Sequence, residues 1–349
     1  MKLLNNVFEK MKKKEYWKNR KVFITGINGF VGSNLAKVLS FNGALVYGLV
    51  RNLNPNTFLY FEGVNKRVTL INGELNDLSL LKRIIGEEKI QDIFHLAAQV
   101  EVGTAIKNPY LTFETNVRGT YTLLEAARMF QEDIESVIIA SSDKAYGTYP
   151  LKDLPYKEDY PLKATYPYDV SKACGDMIAQ TYSTSIYNLP VVTTRFANIY
   201  GPGQLNFSAL IPDCIKCALG YDTFKPRTNG AHYRDFLFID DVIELYLRIS
   251  ESLSNSKNIR GQIFNAGSND PYNIKDLTIK IFQLILDDPS FTKFKNLLIF
   301  PKEDVKGEIL YQRMNFEKVY KFFNWKPKVK IEEGIKISTK WYSDYLKSI

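Results

Sequence analysis

Between residues 21 and 196 short β-rich runs alternate with helical stretches, and this alternation restricts the fold more than any other feature of the chain. The spacing predicts strands over 21–25, 44–50, 67–72, 92–96, 136–141 and 190–196, with helices over 30–41, 77–85, 109–130 and 168–187. Strands separated by helices pair in parallel through right-handed crossovers, so the expected architecture is an α/β fold with a doubly wound parallel sheet. After Asn198 the pattern loosens around Gly201-Pro202-Gly203, 225–229 and 254–257, and helices are expected over 210–219, 239–253, 274–286 and 332–346. This last third reads as a smaller, mainly helical lobe, with 262–265 returning to the sheet. The expected division is a basic extension (1–20), a sheet domain (21–197, with 235–267 returning to it) and a second lobe (198–234 and 268–349).

The chain has 349 residues, enough to bury a core without disulfide or metal staples. Its net charge of +8 is compatible with nucleic acid, a membrane surface or a smaller anionic ligand such as a nucleotide. Three cysteines, Cys174, Cys214 and Cys217, make no disulfide framework and point to a reducing cytoplasm. Cys214 and Cys217 form one C-x-x-C inside a helical run. With only His95 and His232 elsewhere, they read as packed thiols and no metal site is expected. No run approaches the roughly 18 apolar residues of a membrane span. The lysine-rich leader lacks the apolar stretch of a signal peptide. Its Val7, Phe8, Met11, Tyr16 and Trp17 fit one face of a short helix packed on the body.

Thr25-Gly26-Ile27-Asn28-Gly29-Phe30-Val31-Gly32 places three glycines at the first strand–helix turn. Such a turn lets backbone approach a pyrophosphate while helix amides face its charge, the pattern of a dinucleotide site. The second strand ends in Leu49-Val50-Arg51-Asn52, with no carboxylate for an adenosine 2′-hydroxyl. Arg51 suits a 2′-phosphate, so the coenzyme is NAD or NADP. Tyr168 and Lys172 lie four apart on one face of a helix. A lysine beside a phenol is expected to lower its pKa, and such a tyrosine accepts an alcohol proton while a nicotinamide takes the hydride. A lone His95 reads as a satisfied buried histidine, and Asn116 as a binder of coenzyme or backbone.

Residues 25–32, His95-Leu96-Ala97-Ala98, Asn116, 141–147, 168–172 and 195–201 together resemble the extended short-chain dehydrogenase/reductase superfamily. The resemblance implies a Rossmann lobe holding NAD(P) and a C-terminal lobe holding a nucleotide-diphosphate sugar. Within the superfamily, Ser141-Ser142-Asp143-Lys144-Ala145-Tyr146-Gly147 separates the possibilities. Sugar 4-epimerases usually have small or apolar residues after the catalytic hydroxyl, whereas 4,6-dehydratases have an acid and a second polar group. The Asp143-Lys144 pair is similar to CDP-glucose 4,6-dehydratases, as are Tyr16-Trp17, Asn324-Trp325-Lys326-Pro327 and Trp341-Tyr342. Ser142 in place of the more usual threonine is a departure, and Val50-Arg51-Asn52 looks more like GDP-mannose 4,6-dehydratases.

The resemblance therefore implies a nucleotide-sugar 4,6-dehydratase, with a GDP-sugar dehydratase or a 4-epimerase as alternatives. Tyr168, Lys172 and Ser142 act at the sugar 4-hydroxyl. Asp143, with a pKa raised by burial, protonates the leaving 6-hydroxyl, and Lys144 takes the C5 proton or orients a water that does. The implied coenzyme contacts are Gly26, Asn28, Gly29, Phe30, Val31, Gly32, Arg51, Glu74, Leu75, Leu96, Ala97, Ala98, Asn116, Tyr168 and Lys172. The implied substrate contacts are Gln99, Asn198, Leu210, Ile211, Lys216 and Arg234. A homodimer or dimer of dimers, formed through the helices at 109–130 and 168–187, is expected from the same resemblance. Nucleic acid is not an expected partner.

Overall fold

The computed structural model describes residues 14–226, 228–288, 298–302 and 309–349. Six strands realise the alternation: β1 (Lys21–Thr25), β2 (Leu45–Val50), β3 (Thr69–Asn72), β4 (Asp92–His95), β5 (Ser136–Ala140) and β6 (Val191–Phe196). With Ile263–Ala266 they form a seven-stranded sheet in the order Ile263–Ala266, β6, β5, β4, β1, β2, β3. The ladders from β3 through to β6 are parallel. The chain moves outward from β1 in both directions, so the switch point lies between β1 and β4, where α/β sheets place ligands beyond the carboxyl ends. There Thr25 stands in register with Leu49 on one side and His95 on the other.

Two compact units emerge from the contacts. The first comprises residues up to Ala145, Ala164–Arg195 and Val242–Phe264; the second comprises Tyr146–Lys163, Phe196–Asp241 and the chain from Asn265 onward. In the first, Phe23, Ile93, Val137 and Ile139 of the sheet pack with Leu81, Ile85, Leu123 and Leu124 from the Leu78–Glu88 and Gly119–Met129 helices. Asp92 opens β4 fully buried, accepting hydrogen bonds from Arg20 Nε (2.8 Å), Ser136 Oγ (2.7 Å) and Ser250 Oγ (3.0 Å). Trp17 is buried at the end of the short Lys14–Trp17 helix; Val7, Phe8 and Met11 lie outside the described residues.

The single helix expected over 109–130 is a composite. Pro109–Phe113 and Gly119–Met129 are α-helical, and Glu114–Arg118 between them is a π-helical turn. The wider turn carries the extra residue that a 3.6-residue period cannot report. Gly119 follows it, where a Cβ would strike the Leu75 side chain. The next helix runs Pro167–Tyr182, shorter than the 168–187 expected, because its C-cap at Ser183 leads into a turn ending in the left-handed Asn188.

In the second unit, Tyr146–Lys163 packs with residues far along the chain, which is why it falls here and not in the sheet domain expected from sequence. Tyr156 N–H donates to the Arg313 carbonyl (2.9 Å), Tyr146 stacks on Tyr156 at 4.8 Å, and the Tyr146 hydroxyl donates to Asn265 Oδ1 (2.8 Å). Residues 235–241 also fall here, since Phe236–Phe238 pairs in parallel with Asn198–Tyr200. Cys214 and Cys217 lie buried on the Leu210–Ala218 helix as free thiols, and burial pushes the pKa of both upward.

Near the end of β6, Arg195 grips Asp176 of the Pro167–Tyr182 helix through two parallel hydrogen bonds, Nε to Oδ2 at 2.7 Å and a terminal nitrogen to Oδ1 at 3.0 Å. Both side chains are almost wholly buried. Removing one partner leaves an unpaired buried charge, so Arg195→Met is expected to lose about 3–5 kcal/mol in urea unfolding. A loss below about 1 kcal/mol, the range of exposed pairs, would show that Asp176 is not held by this contact.

Candidate active site

The glycine turn opens directly from β1. Gly26 adopts φ +73°, and a Cβ there would lie 2.8 Å from both Ala97 Cα and Ala97 N. At Gly32 a Cβ would run into the Gly26 carbonyl. Gly29 N–H closes the turn onto Gly26 O at 2.9 Å, and the Phe30–Phe41 helix starts at once without a side-chain cap. The turn is thus packed against the end of β4, with a helix N-terminus suited to an anion. Asn28 donates to the Asn52 carbonyl at 3.2 Å, but its Oδ1 is buried without a partner, as is Asn76 Oδ1. An orphaned carbonyl oxygen calls for a donor, such as a ribose hydroxyl or an adenine amine. The glycine cradle and these two acceptors fit a dinucleotide. Arg51 and Glu74 are exposed just past β2 and β3, whereas Leu75 is buried against Gly119.

Beyond β5 the chain turns into the 3₁₀ segment Asp143–Tyr146, which brings Ser142, Asp143 and Lys144 together. Ser142 Oγ donates to Asp143 Oδ1 at 3.0 Å and accepts from Lys144 N–H at 3.2 Å, and Tyr168 lies near enough to Ser142 and Asp143 to have its ionisation shifted by them. Ser142, Asp143 and Tyr168 are all buried, while Lys144 is half-buried. Lys172 follows one helical turn after Tyr168 and donates to the Ala140 carbonyl at 2.8 Å.

The electrostatics correct one expectation. Tyr168 is raised above the ordinary phenol value, chiefly by burial and then by the Asp143 charge, with the Ser142 hydrogen bond pulling the other way. Lys172 is lowered to about 8, again chiefly by burial, with Asp176 opposing. Desolvation sets both directions, and the lysine–phenol attraction expected from spacing contributes to neither. Both groups are driven toward their neutral forms.

Sequence reading left the polar support around His95 unseen. His95 Nδ1 meets Thr25 Oγ1 at 2.8 Å and its Nε2 meets Thr120 Oγ1 at 2.9 Å. Asn116, in the π turn, accepts from Gln99 N–H (2.7 Å) and donates to Gln99 O (3.0 Å) and Ser171 Oγ (2.8 Å). Gln99 Oε1 accepts from Thr112, so this side chain serves the loop. Thr25 opens the glycine motif but was given no role there, and Thr120 and Ser171 were not singled out. The one available signal is the i, i+4 spacing of Asn116 and Thr120, which puts the threonine hydroxyl under the asparagine carbonyl.

The remaining candidates lie in the second unit. Asn198 Nδ2 donates to the Asp235 carbonyl at 3.2 Å, and buried Arg234 donates to the Tyr233 carbonyl at 3.0 Å. Asp235 is fully buried and accepts from Ser268, Asn269 and Met314, a structural role. Ile211 is buried at the start of its helix. Lys216 is ion-paired with Asp222 at 2.7 Å and sits over the Phe207 ring. Among the described residues, no group of three or more His, Cys, Asp or Glu is placed to hold a metal ion.

A family model described as GDP-mannose 4,6-dehydratase matches residues 23–338. Mouse (Mus musculus) dTDP-D-glucose 4,6-dehydratase is 29% identical over 340 residues, covering 93% of this chain and 88% of the relative. UDP-glucuronate 4-epimerase 2 of Arabidopsis thaliana is 28% identical over 348 residues, covering 93% and 76%. A crystal structure of dTDP-glucose 4,6-dehydratase from Bacillus anthracis in complex with NAD superposes with TM-score 0.77 at 26% identity, covering 93% of this chain and 97% of that one.

Burial lowers the pKa of His95 to about 3, with the nearby Lys172 charge adding to the effect. Between pH 6.5 and about 3 the unfolded chain therefore binds a proton at this site that the folded chain does not, and stability falls as pH falls through that window. Relative to His95→Gln, the wild-type chain is expected to lose up to about 1.4 kcal/mol per pH unit below 6.5. Parallel stability–pH curves for the two proteins would contradict a buried neutral imidazole.

Proposed function

The chain belongs to the GDP-mannose 4,6-dehydratase family, and we propose that within it this protein is a nucleotide-diphosphate-hexose 4,6-dehydratase of the CDP-glucose type. The observation that carries the reading is the Ser142–Asp143–Tyr168 cluster, with Lys144 adjoining it. Besides a hydride acceptor, oxidation at C4 needs only a hydroxyl, a tyrosine and a lysine. Expelling water from C5–C6 also needs an acid and a base, because hydroxide is a poor leaving group.

A nicotinamide dinucleotide held at the Gly26–Gly32 turn would supply a hydride acceptor and donor and, when oxidised, a positive charge that favours phenolate. Tyr168 takes the proton of the 4-hydroxyl while Ser142 hydrogen-bonds the same oxygen. The 4-ketone acidifies C5–H, whose proton passes to Lys144 in its neutral form, or to a water that Lys144 orients, and later returns to C5. Asp143 protonates the departing 6-hydroxyl. The proton gained at Tyr168 and the one lost at Asp143 balance, and Ser142 joins the two groups. The sum is loss of one water, giving a 4-keto-6-deoxy sugar nucleotide without net oxidation.

Arg51, with no carboxylate beside it, supports NADP, whereas the solved dehydratase of Bacillus anthracis holds NAD. Asn198, Leu210, Ile211, Lys216 and Arg234 are the proposed nucleotide contacts; Arg234 suits a phosphate through its planar fork. The exposed Tyr110, Leu111, Phe113 and Tyr121 near the π turn, with Met177 of the Pro167–Tyr182 helix, support a homodimer through these helices. No helix among the described residues is long and apolar enough to cross a membrane. The 4-epimerase reading uses the same Ser142, Tyr168 and Lys172, and the Arabidopsis relative supports it.

Incubation with CDP-, GDP-, UDP- and dTDP-hexoses, read by mass spectrometry, is expected to yield a product one water lighter from one of them, the CDP-sugar first. A product of unchanged mass would favour epimerisation. Asp143→Asn is expected to retain C4 oxidation and lose water elimination by about 10²-fold or more; undiminished elimination would sink the acid assignment. Arg51→Ala is expected to weaken NADP binding by roughly 10-fold while leaving NAD binding near its original value, since a phosphate contact is lost. Equal effects on both coenzymes would remove Arg51 from the 2′ position.

A further inference from the structure

The buried contacts around His95 fix the position of every proton in them. Thr120 has one hydroxyl proton, and it goes to the Asn116 carbonyl at 2.6 Å, because a carbonyl only accepts. The 2.9 Å contact between Thr120 Oγ1 and His95 Nε2 is therefore donated by the histidine, which makes the imidazole the Nε2–H tautomer. Its Nδ1 is then an acceptor, so Thr25 donates to it, leaving Thr25 Oγ1 free to accept from Ala97 N–H at 3.2 Å. On the far side, Asn116 Nδ2 donates to Ser171 Oγ, and Ser171 donates to the Tyr168 carbonyl at 2.7 Å. Thr25, His95, Thr120, Asn116 and Ser171 are all buried, so no donor or acceptor among them can turn to water instead.

We propose that His95, held as the Nε2–H tautomer, is a positioning residue that ties the coenzyme loop at Ala97 to the backbone of Tyr168 through Thr25, Thr120, Asn116 and Ser171. Ala97 is the residue that packs against Gly26, so one end of the line sets the dinucleotide turn. The other end sets the first turn of the helix that carries the phenol and Lys172. Hydride transfer and proton transfer must occur at one carbon together, and misplacement of about 1 Å can cost about 10²-fold. The line thus acts on turnover more than on binding. This inference rests on the dinucleotide reading of the glycine turn, but its first test does not depend on any sugar substrate.

In the full chain with labelled histidine, ¹H–¹⁵N correlation spectra report the tautomer directly. His232 is the only other histidine, and His232→Gln assigns the signals. The expected spectrum shows a protonated Nε2 and an unprotonated Nδ1 at His95; the reverse tautomer, or a mixture, overturns the proposal. Thr120→Val removes both contacts of that hydroxyl and is expected to lower kcat by roughly 10-fold or more, with KM nearly unchanged, while Thr120→Ser restores it. Wild-type kcat in Thr120→Val would also overturn it. If Thr120→Val fails to fold, Thr25→Ser and Thr25→Val give the same comparison from the coenzyme side. If the wild-type chain converts no sugar nucleotide, the proposed activity fails and the tautomer still decides this inference.

Discussion

The arrangement depends on the register of two neighbouring strand ends, Thr25 of β1 beside His95 of β4. The sheet order reverses between these strands, so the first glycine turn and the loop after His95 emerge side by side. Gly26 and Ala97 come so close that no side chain fits at Gly26. Close packing at this point also takes polar groups out of water, and each must then find a partner within the protein. Thr25, His95, Thr120 and Asn116 meet that requirement with one another. The unmet acceptors at Asn28 and Asn76 mark where a ligand is wanted.

The same desolvation governs the reactive groups. Burial raises Tyr168, lowers Lys172 and keeps His95 neutral, and in each case it exceeds the effect of the nearest charge. The Asp143 charge adds to the resistance of Tyr168 to ionisation, and Asp143 itself accepts a hydrogen bond from Ser142.

Much of this was legible in the sequence. The strands at 21–25 and 92–95, the helix at 30–41 and the glycine turn follow from local periodicity and from glycine's conformational range. The spacing of Tyr168 and Lys172 placed both on one helix face, and the adjacency of Ser142, Asp143 and Lys144 held in the structure. What stayed hidden depends on distance along the chain. The π turn at Asn116 breaks a period that the residues otherwise keep, and Tyr146–Lys163 joins the second unit through Asn265 and Arg313, more than a hundred residues away. The pKa directions of Tyr168 and Lys172 depend on burial depth, which spacing does not report. The ion pair of Lys216 was hidden as well, because its partner Asp222 lies past the end of the Leu210–Ala218 helix.

In the proposed reaction, hydride removed at C4 is returned within the same molecule at C6 while water is lost between C5 and C6. A nucleotide hexose carrying deuterium at C4, converted in ordinary water with no added reductant, reads this directly. The expected product is a 4-keto sugar one water lighter with the deuterium at C6. Deuterium found again at C4, in a product that keeps its C6 oxygen, would contradict it and assign the chain to epimerisation.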